Sequence, residues 1–189
     1  MTKVLVAGDS FASDWYSGDE WWRQLPYTVT NVAQAGASEY KILKSLASVR
    51  EYDAVIIFHT SPTRIYAANG NLLHKNSDTH KNSCYVINDV LNKRGPIKRA
   101  MENFVKYFYN DDFANYMHVK ICEDIVSKTH GIPTIHASGF NYSGIFEFDN
   151  FVSAQDLFET YRGKTCHLTT NGNRYLAERI CKKLTSLLQ

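Results

Sequence analysis

The chain has 189 residues, 44% of them hydrophobic and 21% charged, with a formal net charge of +2. This is ordinary globular usage in a chain long enough to bury a full core, and its scattered basic residues exclude a nucleic-acid-binding stripe. Cys84, Cys122, Cys166 and Cys181 have neither CxxC nor zinc-finger spacing, and no apolar run reaches the length of a membrane span. The thiols therefore read as free cysteines of a reducing compartment. With no signal-peptide pattern before the first strand, the expectation is a cytoplasmic protein without membrane attachment.

Residues 3–7 are a short β-branched apolar run that predicts a buried strand ending at Gly8-Asp9-Ser10. A strand that stops in a glycine turn presents the Ser10 hydroxyl at the carboxyl edge of a sheet, where open α/β folds place their ligands. Phe11 and Ala12 open a helical segment whose first amides would face an anion formed there. Next come Trp15, Tyr16, Trp21 and Trp22, which read as a lid packed over the sheet. Their alternative role is a stacking platform for a sugar or acyl group. Residues 27–32 predict a second strand, which runs into a small-residue turn containing Gly36. Ser38 then caps a helix with Ile42, Leu43, Leu46, Ala47 and Val49 on its apolar face. Residues 53–58 (DAVIIF) are continuous enough for a central parallel strand buried on both sides. They empty into His59-Thr60-Ser61-Pro62-Thr63-Arg64.

Residues 66–95 are polar and aperiodic, and read as a lid-like insertion in a single domain spanning 1–189. His74 and His80 lie in it without a partner at ligand spacing, so no metal is expected. Residues 96–129 predict two helices broken near 110–112. Met101, Phe104, Val105 and Phe108 form one buried stripe, and Met117, Ile121, Ile125 and Val126 the other. Pro96 suits the first turn and Gly131 the end. Residues 132–137 predict a strand that its proline places toward an edge, and a short strand is expected near 145–148. The last helix runs from about residue 174 to 188. Strands alternating with helices imply a parallel sheet covered on both faces. Such a sheet gathers Ser10, Gly36, Ser61 and His167 on one rim. No GxGxxG or GxxxxGK[ST] follows a strand, which argues against a nucleotide or flavin site, and no cofactor is expected.

In this order, Gly8-Asp9-Ser10, Gly36 in NVAQAGAS, the polar turn after the third strand and His167 before the last helix resemble the SGNH, or GDSL, hydrolase family. The resemblance spans nearly the whole chain. It implies a flavodoxin-like three-layer α/β/α sandwich of about five parallel strands. It also implies a serine hydrolase of esterase or deacetylase type, acting on a small ester or O-acylated glycan. Ser10 would be the nucleophile and His167 its base. The oxyanion would rest on the backbone N–H groups of Ser10 and Gly36, with Ser61 in the slot where the family has an asparagine. Asp9, Thr60 and Arg64 would line the substrate site. The family's aspartate, three residues before the histidine, is replaced by Lys164, leaving a Ser-His dyad for which Asp156 or Glu159 could supply the orienting carboxylate. These departures keep a second reading open, an impaired SGNH-fold module that binds a glycan or a protein. The eroded motifs and missing signal peptide would fit a viral or phage-type member.

Overall fold

The computed structural model describes residues 1–14, 18–66, 84–92, 94–140, 145–163 and 167–189. Its elements in chain order are β1 (Lys3–Gly8), β2 (Thr28–Asn31), α1 (Glu39–Ser45), β3 (Ala54–His59), β4 (Arg64–Tyr66) and β5 (Cys84–Val86). They continue with α2 (Ile87–Leu91), α3 (Pro96–Tyr107), α4 (Asp111–Thr129), β6 (Thr134–Ser138), β7 (Phe151–Ser153), α5 (Gln155–Thr160) and α6 (Thr170–Leu187).

Five strands form one sheet in the order β2-β1-β3-β6-β7, and every pairing in it is parallel. Because successive side chains on a strand point to opposite faces, each apolar run feeds two cores. Val4, Val6, Ala54, Ile56, Phe58, Ile135 and Ala137 pack with Leu176, Ile180 and Leu184 of α6. Leu5, Ala7, Val55 and Ile57 pack with Ile42 and Leu46 from the α1 region and Ile125 of α4. This double burial is why β1 and β3 read as continuous and not alternating. The result is the expected flavodoxin-like three-layer α/β/α sandwich. Among the described residues, no helix is long and apolar enough to cross a membrane.

The local signals that held are the capped ones. Ser38 Oγ accepts the Lys41 N–H, Asn110 Oδ1 accepts the Phe113 N–H, and Pro96 occupies the first turn of α3. Several expectations differ from the structure. β6 is interior, between β3 and β7, because Pro133 lies just before it and its carbonyl still accepts the Val55 N–H. The last strand is β7 at 151–153, not a strand near 145–148. Phe108 follows α3 and is 77% exposed, since α3 packs on α2 and away from the sheet. Met117 and Val126 are also exposed. The buried face of α4 is His118, Cys122, Ile125 and Thr129. Arg64–Tyr66 and Cys84–Val86 pair as an antiparallel ribbon at the two flanks of the polar segment. His74 and His80 lie outside the described residues, as do Trp15, Tyr16, Lys164 and Cys166. Trp21 is a core residue, its indole N–H donating to the Phe11 carbonyl at 2.9 Å.

Candidate active site

Gly8 ends β1 where no side chain fits: a Cβ there would stand 2.7 Å from the Phe58 Cβ and 2.9 Å from the Phe58 carbonyl oxygen. The chain then turns tightly. The N–H groups of Ala12 and Ser13 both donate to the Asp9 carbonyl, and the Asp9 carboxylate accepts the Phe11 N–H at 2.9 Å. Residues 11–13 are therefore a turn, not the start of a helix. Ser10 is half-buried at the mouth of the sheet.

The Gly36 loop is stitched to this turn. Asn31 Nδ2 donates to the Ala12 carbonyl at 2.8 Å, and the Gln34 N–H donates to the Gly8 carbonyl at 3.0 Å. Gly36 has φ +76°, which L side chains rarely adopt, and nothing lies within 4 Å of the space a Cβ would take. Glycine is thus set here by backbone conformation, and the space beside it is open.

His167 is tied to the chain just before it. The Gly163 N–H donates to the His167 carbonyl at 2.6 Å, and the Thr169 N–H donates to the Tyr161 carbonyl at 2.9 Å. Thr169 caps α6 through its hydroxyl, and Gly172 lets that helix start press on Tyr161, since a Cβ there would lie 2.8 Å from the Tyr161 Cβ. The imidazole comes to rest 5.5 Å, centroid to centroid, from the ring of Phe11, the residue after Ser10. Segments more than 150 residues apart in sequence are thereby brought to one place.

The remaining sequence candidates are otherwise engaged. Asp9 and Thr60 are fully buried, and the Thr60 hydroxyl donates to Asp9 Oδ2 at 3.0 Å. Arg64, neither a free clamp nor a solvated side chain, pairs with Asp9 Oδ2 at 2.9 Å and donates to the Ala37 carbonyl at 3.2 Å. Burial pushes the Asp9 carboxyl up from its ordinary value, against the opposing pull of Arg64, the Phe11 N–H and the Thr60 hydroxyl. These three side chains therefore brace the rim from below, and Arg64 also lines a groove beside it. Ser61 Oγ shares a 2.9 Å hydrogen bond with the Thr63 hydroxyl and accepts the Thr63 N–H, closing a local turn. Asp156 is held by both terminal nitrogens of Arg179, at 2.8 and 2.6 Å, and Glu159 accepts from Gln155. Asp156 is thus tied up on α5 and not available to orient His167.

His59 and His136, which follow apolar strands and read from the sequence chiefly as hydrogen-bonded histidines, belong to a buried polar chain whose third member, Glu39, sequence reasoning missed. Glu39 Oε1 accepts from His59 Nδ1 at 2.6 Å, and His59 Nε2 meets His136 Nδ1 at 2.9 Å. Both imidazoles stack on Phe148 with centroids 4.2 Å away. Glu39 Oε2 accepts the Thr60 N–H, so Thr60 ties this chain to Asp9 and Arg64. Burial raises the Glu39 carboxyl, but the charge and hydrogen bond of His59, the charge of His118 and the Thr60 N–H outweigh it and hold the group below the usual range. Burial, then the neighbouring His59, pushes His136 down to about 3, so its ring is neutral. The available signal was His118 and Cys122, one turn apart on the same face of α4 as Ile125.

A scan of protein-family models and a search of curated proteins find no match to the chain. Solved structures do match. TesA shares 13% identity at a TM-score of 0.51, with 98% of this chain and 99% of that one covered. The psychrotrophic esterase EstA from Pseudoalteromonas sp., in a form inhibited by monoethylphosphonate, shares 10% identity at a TM-score of 0.55, with 100% and 99% covered. The chain shares its fold with TesA and with the esterase EstA. Within it, Ser10 and His167 fall on one rim of the sheet, and the Gly36 loop is bonded to the turn that carries Ser10.

Proposed function

We propose that the protein is a serine hydrolase of the SGNH type, a single domain with a lid-like insertion at about 66–95. It would cleave a small ester or O-acyl group, such as one on a glycan, through Ser10 and His167. The observation that carries the reading is the packing of His167 against Phe11, next to Ser10, on a fold shared with the esterase EstA at near-complete coverage. Ser10 Oγ attacks the acyl carbonyl while His167 takes its proton, and His167 then returns that proton to the departing alcohol. Charge on the tetrahedral oxygen is met by the backbone N–H groups of Ser10 and Gly36, the latter beside open space. Ser61 adds a third donor when Thr63 supplies the proton of their shared bond. With Asp156 committed to Arg179, that carboxylate is not the one that orients His167.

The local bonding of Ser61 to Thr63 and the engagement of Asp156 favour one other reading, an SGNH-fold module that binds a glycan or protein without turnover. A fluorophosphonate probe separates the two. The hydrolase reading expects labelling of the wild type, none of Ser10→Ala, and little of His167→Ala. An unlabelled wild type, or equal labelling of Ser10→Ala, overturns it.

A further inference from the structure

We propose that the buried cluster under α4 is a site for a divalent transition-metal ion of the zinc class, with Glu39, His59 and Cys122 as ligands. This stands apart from the hydrolase reading, since none of the three is the nucleophile, the base or an oxyanion donor. One ligand atom from each residue lies within 4.8 Å of the other two, and all three residues are buried. Zinc bonds of about 2.0–2.3 Å place tetrahedral ligands about 3.3–3.8 Å apart. An ion would therefore replace the 2.6 Å Glu39–His59 hydrogen bond, opening that pair while the set as a whole draws in from within 4.8 Å. A carboxylate and a thiolate bring two negative charges, which balance a divalent cation in a dry pocket. The mixture of thiolate, imidazole and carboxylate selects zinc or cobalt over magnesium or calcium.

The surroundings have the form of an outer shell. With His59 Nδ1 directed at the ion, its other ring nitrogen donates to His136 Nδ1 at 2.9 Å, which fixes tautomer and ring orientation. Phe148 stacks on both rings and holds their plane. The second Glu39 oxygen accepts the Thr60 N–H, so Oε1, which accepts from His59 Nδ1 at 2.6 Å without an ion, is the oxygen that would turn to the metal. A hydrogen-bonded relay of Glu39, His59 and His136 would account for those three residues. It gives no reason for Cys122 beside them, or for His118 one turn earlier on the same buried face. His118 and Glu39 also line a groove of about 580 Å³ with Tyr40, Tyr66 and Met117, which gives an ion a path from the surface. The ligands come from α1, β3 and α4, so no local spacing announces them.

The full chain, stripped with a chelator, should take up one equivalent of Co²⁺ with a near-ultraviolet thiolate-to-cobalt charge-transfer band. Zinc should displace it, with a Kd below about 1 μM. The band should vanish in Cys122→Ser, and in Cys122→Ala should that variant be better folded, with circular dichroism showing each to be native. In Glu39→Gln the band should remain while affinity falls at least tenfold. No band in the wild type, the same band in a folded Cys122 variant, or unchanged affinity in Glu39→Gln overturns the site.

Discussion

At the scale of single residues, Asp9 and Arg64 form a buried ion pair. Asp9 has no exposed surface, and its carboxylate takes one backbone N–H, one hydroxyl and one guanidinium. Removing one partner of a buried ion pair strands the other charge, typically at a cost of about 3–5 kcal/mol. Arg64→Met should lower stability by that order in a urea titration, whereas a freely solvated arginine would change it by under about 0.5 kcal/mol. His136 gives a pH signature. Its ring titrates at about 3 in the native state against an ordinary value of 6.5, so between these limits the unfolded chain holds a proton that the native chain does not. Stability therefore rises with pH across that window, by at most about 1.4 kcal/mol per unit. Measured by denaturant unfolding with chelator present, His136→Phe should lose this slope between about pH 3 and 6.5.

At the scale of elements, α4 is the instructive case. Its sequence carries Met117, Ile121, Ile125 and Val126 at helical spacing, yet Met117 is 40% and Val126 39% exposed while Ile125 is fully buried. The inward face is completed by His118 and Cys122, so an apolar stripe points about one residue position away from the true one. Ile125→Ala should cost about 2–5 kcal/mol, as deletion of a fully enclosed side chain does, and Met117→Ala under about 1 kcal/mol. A thermal or urea melt of the two variants side by side checks it. The capped ends behaved differently. Ser38, Asn110 and Thr169 each mark a helix start because a side-chain oxygen there satisfies an N–H that the helix itself cannot.

For the molecule as a whole, the site depends on the spacing of its two central strands. Gly8 lies against Phe58 of β3 so closely that a methyl group would force β1 and β3 apart. Ser10 follows two residues later, on a turn that also holds the Gly36 loop through the Gly8 carbonyl. Gly8→Ala should therefore cost about 1–3 kcal/mol and also reduce fluorophosphonate labelling of the folded protein. Normal labelling in a native-like Gly8→Ala protein would show that strand spacing and nucleophile position are independent.

The sequence by itself determined the layered architecture. Continuous apolar runs such as DAVIIF, alternating with helical segments, have few solutions other than a parallel sheet covered on both faces. It also put Ser10 and Gly36 on small-residue turns after strands, local features written in adjacent residues, whereas His167 stood out only through the order of segments that resembles the SGNH family. What only the tertiary structure decided is where the charged and polar groups are spent. Arg64 and Asp156 are ordinary surface types by composition, and nothing near them in sequence shows that one clasps Asp9 and the other Arg179. Glu39, His59 and Cys122 stand far apart along the chain, on three elements that meet only after the sheet is covered. A turn or a cap is fixed by neighbours in sequence, whereas a buried charge is satisfied by whatever distant group the fold brings to it, and that partner has no local trace.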